Sequence, residues 1–248
     1  MFLIGDIGNS EIKICLVGRN KKIKKKIIFS NNNISIPFLR KKLKFLNKYY
    51  PQINKILFCS VVPNIFKLIK NFLKKNTKIK CNEIKKLDLS TLLKIKVNYK
   101  QVGSDRLANS IALAKLEKNF IIIDLGTATT FDILLGKNYI GGIIAPGIRT
   151  SLNTLSDKAT LIPNINLKKI KNVIGTDTKS AVRSGFFWGY AGLIDNIINL
   201  IKKETKKKFK LVITGGFSNL FKDSIKNKVI ENKEITIKGL IKISKLIK

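Results

Sequence analysis

The sequence predicts an α/β protein built from two similar halves. Two observations support this prediction: a short phrase that occurs twice, and an order of strands and helices that restarts at the second copy. Residues 2–10 and 120–128 each form an apolar run that ends in Asp-apolar-Gly and a small polar pair. Asp6 and Asp124 lie 118 positions apart in a chain of 248 residues, so the repeat has the scale of a duplicated domain.

The first half alternates predicted strands and helices. Strands are predicted at residues 2–7, 12–17, 23–29, 56–62 and, weakly, 79–81, and helices at residues 36–46, 65–73 and 104–118. Residues 92–99 are ambiguous. Ser104 is expected to be the N-cap of the third helix, and the acidic residue after it suits the positive end of the helix dipole.

The second half restarts with three predicted strands. These lie at residues 120–124, 130–135 and 139–144, followed by a short helix after Gly147, a surface loop at 161–173, the longest helix at 176–201, a strand at 209–213 and a helix from Ser218. We place the domain boundary in the helix that links the halves. The expected domains are therefore residues 1–115 and 116–248.

The repeated turns have the composition of a phosphate site. Glycine allows backbone amides to approach an anion closely, and Asn, Ser and Thr add neutral hydrogen-bond donors. An aspartate can hold a hydrated Mg²⁺ that contacts the phosphates. Two such halves would bring both carboxylates and both turns to face a cleft. The alternative is that each Asp-x-Gly is only a hairpin turn.

The net charge of +34 invites a nucleic-acid interpretation, but its distribution argues against one. Only five of the 49 basic residues are Arg, the residue that reads bases by bidentate contacts. Lys is absent from the motif-bearing segments, such as residues 103–114 and 120–136. We therefore interpret the charge as drift of exposed positions and expect only non-specific affinity for nucleic acid at low salt.

The cysteines, the absence of histidine and the lack of long apolar segments limit the possible classes of function and location. The three Cys residues have no paired spacing, which predicts a reducing, cytoplasmic location and no zinc or disulfide framework. The absence of His excludes His-based acid–base catalysis. The N-terminus has no signal-peptide pattern, and no apolar run approaches the roughly 20 residues needed to span a bilayer.

Five segments carry a resemblance to a known family. They are residues 6–10 (DIGNS), 102–109 (VGSDRLAN), 124–132 (DLGTATTFD), 141–147 (GGIIAPG) and 214–216 (TGG). In this order they resemble the type III pantothenate kinases of the actin-like, sugar-kinase-like and heat-shock ATPase group. The resemblance implies two actin-like (ribonuclease H-like) domains with a cleft between them.

The resemblance also implies an activity. A family member transfers the γ-phosphoryl group of ATP to pantothenate, which gives 4'-phosphopantothenate in the first step of coenzyme A biosynthesis. The implied cofactors are ATP with Mg²⁺ and a monovalent cation, K⁺ or NH₄⁺. The implied partners are pantothenate and a second copy of the chain, with no membrane and no specific nucleic acid.

The family's site residues carry over to matching positions of this chain. The general base is Asp105, and the monovalent-cation position is Asp124. Asp6 is the candidate Mg²⁺ ligand. The ATP-binding positions are Asp6, Ile7, Gly8, Asn9, Ser10, Glu11, Ile12, Lys13 and Thr127. The pantothenate-binding positions are Tyr99, Gly103, Ser104, Asp105, Arg106 and Thr178. Only three residues separate Tyr99 from Gly103, fewer than the family usually has.

Several of these residues allow a purely structural interpretation. Asp105 and Arg106 could form a surface charge pair, and Arg106 could bridge two domains instead of binding an anion. Thr178 could simply cap its helix. Gly185 and Gly189, four positions apart, fit either core packing or a dimer interface. Residues 214–216 could form an adenosine-side loop or an ordinary turn.

Two alternative functions remain open on the sequence. A different phosphotransferase or ATPase could use the same fold, because fold does not fix substrate. A regulatory or nucleic-acid-binding protein would explain the charge, and it predicts a clustered basic face and a dispensable Asp105.

Overall fold

The computed structural model describes residues 1–247. The strands are β1 (Phe2–Ile7), β2 (Glu11–Val17), β3 (Ile23–Ser30), β4 (Lys55–Ser60), β5 (Cys81–Glu83), β6 (Lys94–Ile95), β7 (Phe120–Leu125), β8 (Ala128–Leu135), β9 (Asn138–Pro146), β10 (Lys210–Thr214) and β11 (Ile230–Glu231). The helices are α1 (Ile36–Lys42), α2 (Pro63–Thr77), α3 (Ser104–Leu113), α4 (Ile148–Lys158), α5 (Thr178–Thr205), α6 (Ser218–Phe221) and α7 (Ile235–Ile243). Short 3₁₀ turns occupy Lys44–Lys48, Tyr50–Gln52, Ile84–Lys86, Tyr99–Gln101 and Ser244–Leu246.

The chain divides into two compact units. The first contains residues 1–113 and 234–248, and the second contains residues 114–233. In the first unit the strand order is β3-β2-β1-β4-β5, with β1–β3 antiparallel and β4 and β5 added in parallel. In the second unit β9-β8-β7-β10-β11 has the same order and the same strand directions. The repeat predicted from residues 2–10 and 120–128 is therefore a repeat of topology.

Each unit buries its own apolar core. In the first, side chains from β1, β2 and β4 pack with α1 and α2 around Ile14, Phe58 and Leu73. In the second, strands β7, β8 and β10 pack against one side of α5, with Phe187 and Ile194 fully buried. The strands are apolar on this core side, which explains why their sequences are dominated by Ile, Leu and Phe.

Most predicted elements are present, with differences at helix ends. Helix α1 ends at Lys42 and continues as a 3₁₀ turn, although the prediction extended to residue 46. Helix α3 ends at Leu113 and not near residue 118. At this end the Lys242 ammonium donates to the carbonyls of Ile111 and Ala112 and so satisfies acceptors of the last turn. The ambiguous residues 92–99 contain the short strand β6, and residues 161–173 form the predicted loop.

One prediction about a helix cap is wrong, and one alternative that the sequence left open is excluded. Ser104 is the first residue of α3, and its hydroxyl bonds to Ser60 instead of capping its own helix. Helix α5 begins at Thr178, but Asp177 caps it: its carboxylate accepts from the Ser180 N–H at 3.0 Å. Thr178 therefore does not act as the N-cap, and that structural interpretation of the residue falls away.

Candidate active site

Asp6 lies at the end of β1, at the tight turn into β2. The Gly8 N–H donates to the Glu11 carbonyl at 3.0 Å, which closes the hairpin, and Asn9, Ser10 and Glu11 are exposed. One residue before Asp6, a Cβ on Gly5 would lie 2.0 Å from the Phe58 ring. Gly5 is therefore required for β1 to pass over this aromatic side chain.

Asn31, which follows β3, supports the same turn. Its side-chain amide donates to the Gly8 carbonyl at 3.1 Å and to the Asn9 carbonyl, and its backbone N–H donates to the Ser10 carbonyl at 3.2 Å. This residue was not among the predicted site residues. Its one signal in the sequence is the run of three Asn that begins at Asn31, which is typical of a turn and not of a site.

The strand register sets the neighbours of Asp6. Asp6 is opposite Lys13 on β2 and opposite Cys59 on β4. The buried Cys59 thiol lies 3.3 Å from Asp6 Oδ1 and donates to it. Burial raises the pKa of Asp6 to about 6, Lys13 opposes the shift, and the negative charge of Asp105 adds to it. Asp6 and Asp105 are therefore electrostatic neighbours.

Helix α3 starts against the end of β4. The Ser104 hydroxyl donates to the Ser60 carbonyl and accepts from the Ser60 N–H, both at 2.8 Å. Asp105 follows in the first turn, where its Oδ1 accepts from the Arg106 N–H at 2.8 Å. Asp105 and Arg106 are both only partly exposed, so they do not form a fully solvated charge pair.

Helix α7 packs along α3 at the level of the Gly-x-Asp-Arg-x-x-Asn block. Asn109, which is 1% exposed, accepts a hydrogen bond of 2.8 Å at Oδ1 from the Thr236 hydroxyl. Thr236 was not among the predicted site residues. Its partner is more than a hundred residues away in the chain, and no local pattern marks the pair.

Tyr99 lies in the 3₁₀ turn before Gly103, and the Val102 N–H donates to its carbonyl at 3.3 Å. Its hydroxyl is buried and has no hydrogen-bond partner among residues 1–247. Burial, together with the charges of Glu83 and Asp88, raises the pKa of this phenol. A buried hydroxyl without a partner is unfavourable in the protein alone, and a ligand atom could satisfy it.

In the second unit, Asp124 and Thr127 flank the turn between β7 and β8. The Thr127 carbonyl accepts from the Thr150 hydroxyl at 3.0 Å. Two glycines pack against this turn: a Cβ on Gly147 would lie 2.0 Å from the Thr127 carbonyl oxygen, and one on Gly215 would lie 2.5 Å from the backbone of Leu125. The second phosphate-type turn is thus held from two sides by positions that only glycine fits.

Two adjacent cavities lie beside residues 214–216. One, of about 430 Å³, is lined partly by Gly216, Phe217 and Leu167. The other, of about 290 Å³, shares Phe217 and Leu167 and is bordered by Arg149, whose guanidinium lies 5.7 Å from the Phe217 ring centre. The T-G-G turn therefore borders a concave surface with an aromatic wall.

The outer side of α5 carries glycines that touch nothing. Gly185, Gly189 and Gly192 are exposed, and apart from its chain neighbours and the nearby backbone of α5, a Cβ on any of them would have no atom of the described chain within 4 Å. Core packing, which the sequence left open, therefore does not explain them. The buried side of the helix is formed by other residues, including Phe187, Ala191 and Ile198.

The predicted site residues fall into two groups. Asp6 to Lys13, Tyr99 and residues 103–106 belong to the first unit, and Asp124, Thr127 and Thr178 belong to the second. Within residues 1–247 there is no group of three or more Asp, Glu, Cys or His that could hold a metal ion. None of the helices in this part of the chain is long and apolar enough to cross a membrane.

Two solved structures share the fold. A conserved Campylobacter jejuni protein, proposed to be a Baf family transcriptional activator, matches with a TM-score of 0.60 at 23% identity and 98% coverage of both chains. A proposed 2-dehydro-3-deoxygalactonokinase from Sinorhizobium meliloti matches with a TM-score of 0.60 at 10% identity, covering 100% of this chain and 99% of its own. The two α/β units of identical strand order define the chain as a protein of the actin-like and sugar-kinase fold class, as predicted.

The sequence comparisons identify the family. The model described as type III pantothenate kinase matches residues 2–200. A type III pantothenate kinase from Pelagibacter ubique (strain HTCC1062) is 61% identical over 248 residues, which is 100% of both chains. The chain therefore belongs to the type III pantothenate kinase family, and the family predicted from the five motifs is confirmed.

Proposed function

We propose that this chain transfers the γ-phosphoryl group of ATP to the terminal hydroxyl of pantothenate, forming 4'-phosphopantothenate for coenzyme A biosynthesis. The observation that carries the proposal is the 61% identity to a type III pantothenate kinase along the whole chain. The geometry agrees, because the block of residues 103–109 opens α3 beside the strand end that bears Asp6.

The ATP-binding part of the proposal concerns residues 6–13 and Thr127. The turn after β1 is closed by the Gly8–Glu11 hydrogen bond and supported by Asn31, so its exposed polar residues are held in place for phosphate oxygens. Lys13 lies opposite Asp6 and 3.3 Å from Glu11, where its charge can reach a phosphate. The cavities beside residues 214–216 are the proposed adenosine side.

The residues fit Mg²⁺ at Asp6. Burial raises the pKa of this carboxyl to about 6, so a cation that compensates its charge would be favoured there. A single carboxylate is sufficient, because Mg²⁺ in kinases is held by one or two carboxylates together with substrate phosphates. Bound Mg²⁺ would neutralise charge on the phosphates during transfer.

Asp105 is the proposed general base. It would orient the pantothenate hydroxyl and accept its proton late, a modest demand because phosphoryl transfer has a loose transition state. Arg106 would bind an anionic group, the pantothenate carboxylate or the transferred phosphate. Gly103, Ser104, Tyr99 and Thr178 complete the proposed pantothenate site. The Tyr99 hydroxyl, which has no hydrogen-bond partner among residues 1–247, and the exposed Thr178, which does not cap its helix, support this part.

We also propose a monovalent cation, K⁺ or NH₄⁺, at Asp124. The Asp124 carboxylate lies against the turn that follows it, since a Cβ on Gly126 would be 3.5 Å from its Oδ1, and a carboxylate is a ligand that hard cations use. Free, buried Cys15, Cys59 and Cys81 support the proposed cytoplasmic location, since no disulfide forms among them. The expected domains, residues 1–115 and 116–248, differ from the compact units at the C-terminal end, because residues 234–248 belong to the first unit.

The proposed homodimer uses the glycine face of α5, defined here as Gly185, Gly189 and Gly192. Small residues spaced along one helix side let a second helix approach closely, and nothing in the described chain covers them. Gly189→Leu should shift the chain toward the monomer in light scattering. Lys203→Leu, at an exposed position of the same helix, is the control and should leave the particle mass measured by light scattering at the value of the dimer.

The deciding experiment measures ADP release with Mg-ATP, with and without pantothenate, in K⁺ and then Na⁺ buffer. We expect release that requires pantothenate, favours K⁺ and is lost in Asp105→Asn. Release without pantothenate would point to another kinase or ATPase on this fold. No ADP release from a folded protein would favour the regulatory or nucleic-acid-binding alternative. An Asp105→Asn protein that releases ADP at the parental rate would refute the assignment of Asp105 as the general base.

A further inference from the structure

The end of β4 contacts Asp6, one of the two proposed functional carboxylates of the first unit, and Ser104, the residue before the other. Cys59 is the residue opposite Asp6 in the parallel β1–β4 ladder, and the next residue, Ser60, is opposite Ile7. The ladder continues one step further, since the Val61 N–H donates to the Ile7 carbonyl at 3.1 Å. The strand end is therefore fixed against β1 at the position where Asp6 leaves it.

On one side, the Cys59 thiol donates to Asp6 Oδ1 at 3.3 Å. Cys59 is 0% exposed, and the Asp6 carboxylate lies on the same side of the sheet as Lys13 and Cys59 because directly opposite residues share a face. A donor on Oδ1 restricts rotation of the carboxylate and directs the other oxygen away from the thiol.

On the other side, Ser60 holds the start of α3. Its N–H and carbonyl are both bonded to the Ser104 hydroxyl at 2.8 Å, and Ser104 is 1% exposed. The Ser60 side chain forms a second closed pair with the backbone of Val62, with both contacts at 3.1 Å. These hydrogen bonds fix the strand end and Ser104 to each other. Asp105 is the residue immediately after Ser104.

We propose that Cys59 is a positioning residue for the Asp6 carboxylate, and that the Ser60–Ser104 pair fixes Asp105 to the same strand end. Neither Cys59 nor Ser60 touches the reacting atoms. Residues 59 and 60 set the relation between the carboxylate proposed for Mg²⁺ and the carboxylate proposed as base. Partners that orient a metal ligand typically affect metal affinity or activity by about 10- to 100-fold.

This inference rests on the proposed roles of Asp6 and Asp105. The test therefore separates a failure of the inference from a failure of those proposed roles. The key variant is Cys59→Val, which removes the donor and adds about one methyl group of volume, and its matched partner is Cys59→Ser, which keeps a donor. Cys81, also buried in this sheet, provides the control Cys81→Val. Binding is measured without turnover, by electron paramagnetic resonance of Mn²⁺ with a non-hydrolysable ATP analogue, alongside kcat and both KM values.

We expect Cys59→Val to bind Mn²⁺ about tenfold more weakly and to lose kcat, with the KM for pantothenate unchanged. Cys59→Ser should stay within about twofold of the parent in Mn²⁺ affinity and in kcat. Cys81→Val should match the parent in the same two quantities. Ser104→Ala should lower kcat about tenfold with unchanged Mn²⁺ affinity and unchanged KM for pantothenate if its hydroxyl, which is bonded to Ser60, acts by positioning Asp105; a raised KM for pantothenate would instead assign it to the substrate site.

Three results would overturn the inference or its basis. A folded Cys59→Val with parental Mn²⁺ affinity and kcat refutes the positioning role, provided that Asp6→Asn abolishes activity. An active Asp6→Asn refutes the proposed role of Asp6 instead. If Cys59→Val does not fold, Cys59→Ser provides the test. A Cys59→Ser enzyme of parental stability that binds Mn²⁺ more weakly refutes the positioning role of Cys59, because the hydrogen-bond donor to Asp6 would still be present.

Discussion

Gly239 of α7 packs directly on Ala108 of α3: a Cβ at Gly239 would lie 1.9 Å from the Ala108 carbonyl oxygen. Gly239→Ala must therefore push the two helices apart. We expect the free energy of unfolding to fall by about 2 kcal/mol and kcat to fall with it, because α3 carries Asp105. Urea unfolding and the kinase assay measure the two effects.

Gly185→Ala is the matched control for that substitution. It also lies within a helix, but apart from its chain neighbours and the nearby backbone of α5, a Cβ there meets no atom of the described chain. At a protein concentration where light scattering shows the same mass as the parent, it should be neutral or stabilise by up to about 1 kcal/mol, because alanine has the higher helix propensity. Equal losses in both variants would contradict close packing at Gly239.

The charge of Asp6 should lower the stability of the ligand-free protein near neutral pH. Its pKa is raised from 3.8 to about 6, so its favourable contribution is present at low pH and is lost as the pH rises through about 6. In EDTA, Asp6→Asn should therefore stabilise the fold by up to about 3 kcal/mol at pH 7.5, and by about half of that at pH 5. Urea unfolding at the two pH values measures the gain.

The same Asp6→Asn protein should be inactive, so stability and activity would change in opposite directions. Such a trade-off is expected where a charge is buried for function. Glu11→Gln, a change at an exposed residue of the same turn, should show no comparable gain in stability. A gain in Asp6→Asn that does not depend on pH would contradict the electrostatic explanation.

The features that the sequence predicted are local or repeated ones. The two Asp-x-Gly turns, the strand order and the Gly-x-Asp-Arg-x-x-Asn block could be found because each is written in consecutive residues. The support of the site could not. Cys59 meets Asp6 only through the register of a parallel pair, and Thr236 meets Asn109 through the packing of α7 on α3. Pairings between distant segments leave no periodic signal in a single sequence.

Thr236 should matter for activity as well as stability. Thr236→Val removes the hydroxyl that donates to buried Asn109 at 2.8 Å, and the expected loss is about 1–2 kcal/mol of unfolding free energy. Because Asn109 lies one turn after Asp105, we also expect a lower kcat with unchanged KM for ATP. Thr236→Ser, which keeps the hydroxyl, should restore both, and a parental kcat in Thr236→Val would remove the link to the site.

Tyr99→Phe separates a substrate contact from a structural one. Its hydroxyl is buried without a partner among residues 1–247, so removing it should not reduce stability. If the hydroxyl binds pantothenate, the KM for pantothenate should rise about tenfold while the KM for ATP stays the same. Tyr139→Phe is the control: its hydroxyl donates to buried Asp132 at 2.7 Å, so that variant should lose stability instead. An unchanged KM in folded Tyr99→Phe would end the proposed role of this residue.

Asp124→Asn tests the proposed monovalent-cation site. Asparagine keeps the size and one carbonyl oxygen of the side chain but removes the negative charge, so a cation held there should be released. We expect the rate advantage of K⁺ or NH₄⁺ over Na⁺ to disappear, with binding of an ATP analogue changed by less than about threefold. Activity titrated with each cation at constant ionic strength gives the first quantity, and calorimetry gives the second. Constant ionic strength matters because a chain of net charge +34 responds to salt in general. An Asp124→Asn enzyme that still distinguishes K⁺ from Na⁺ would place the cation elsewhere.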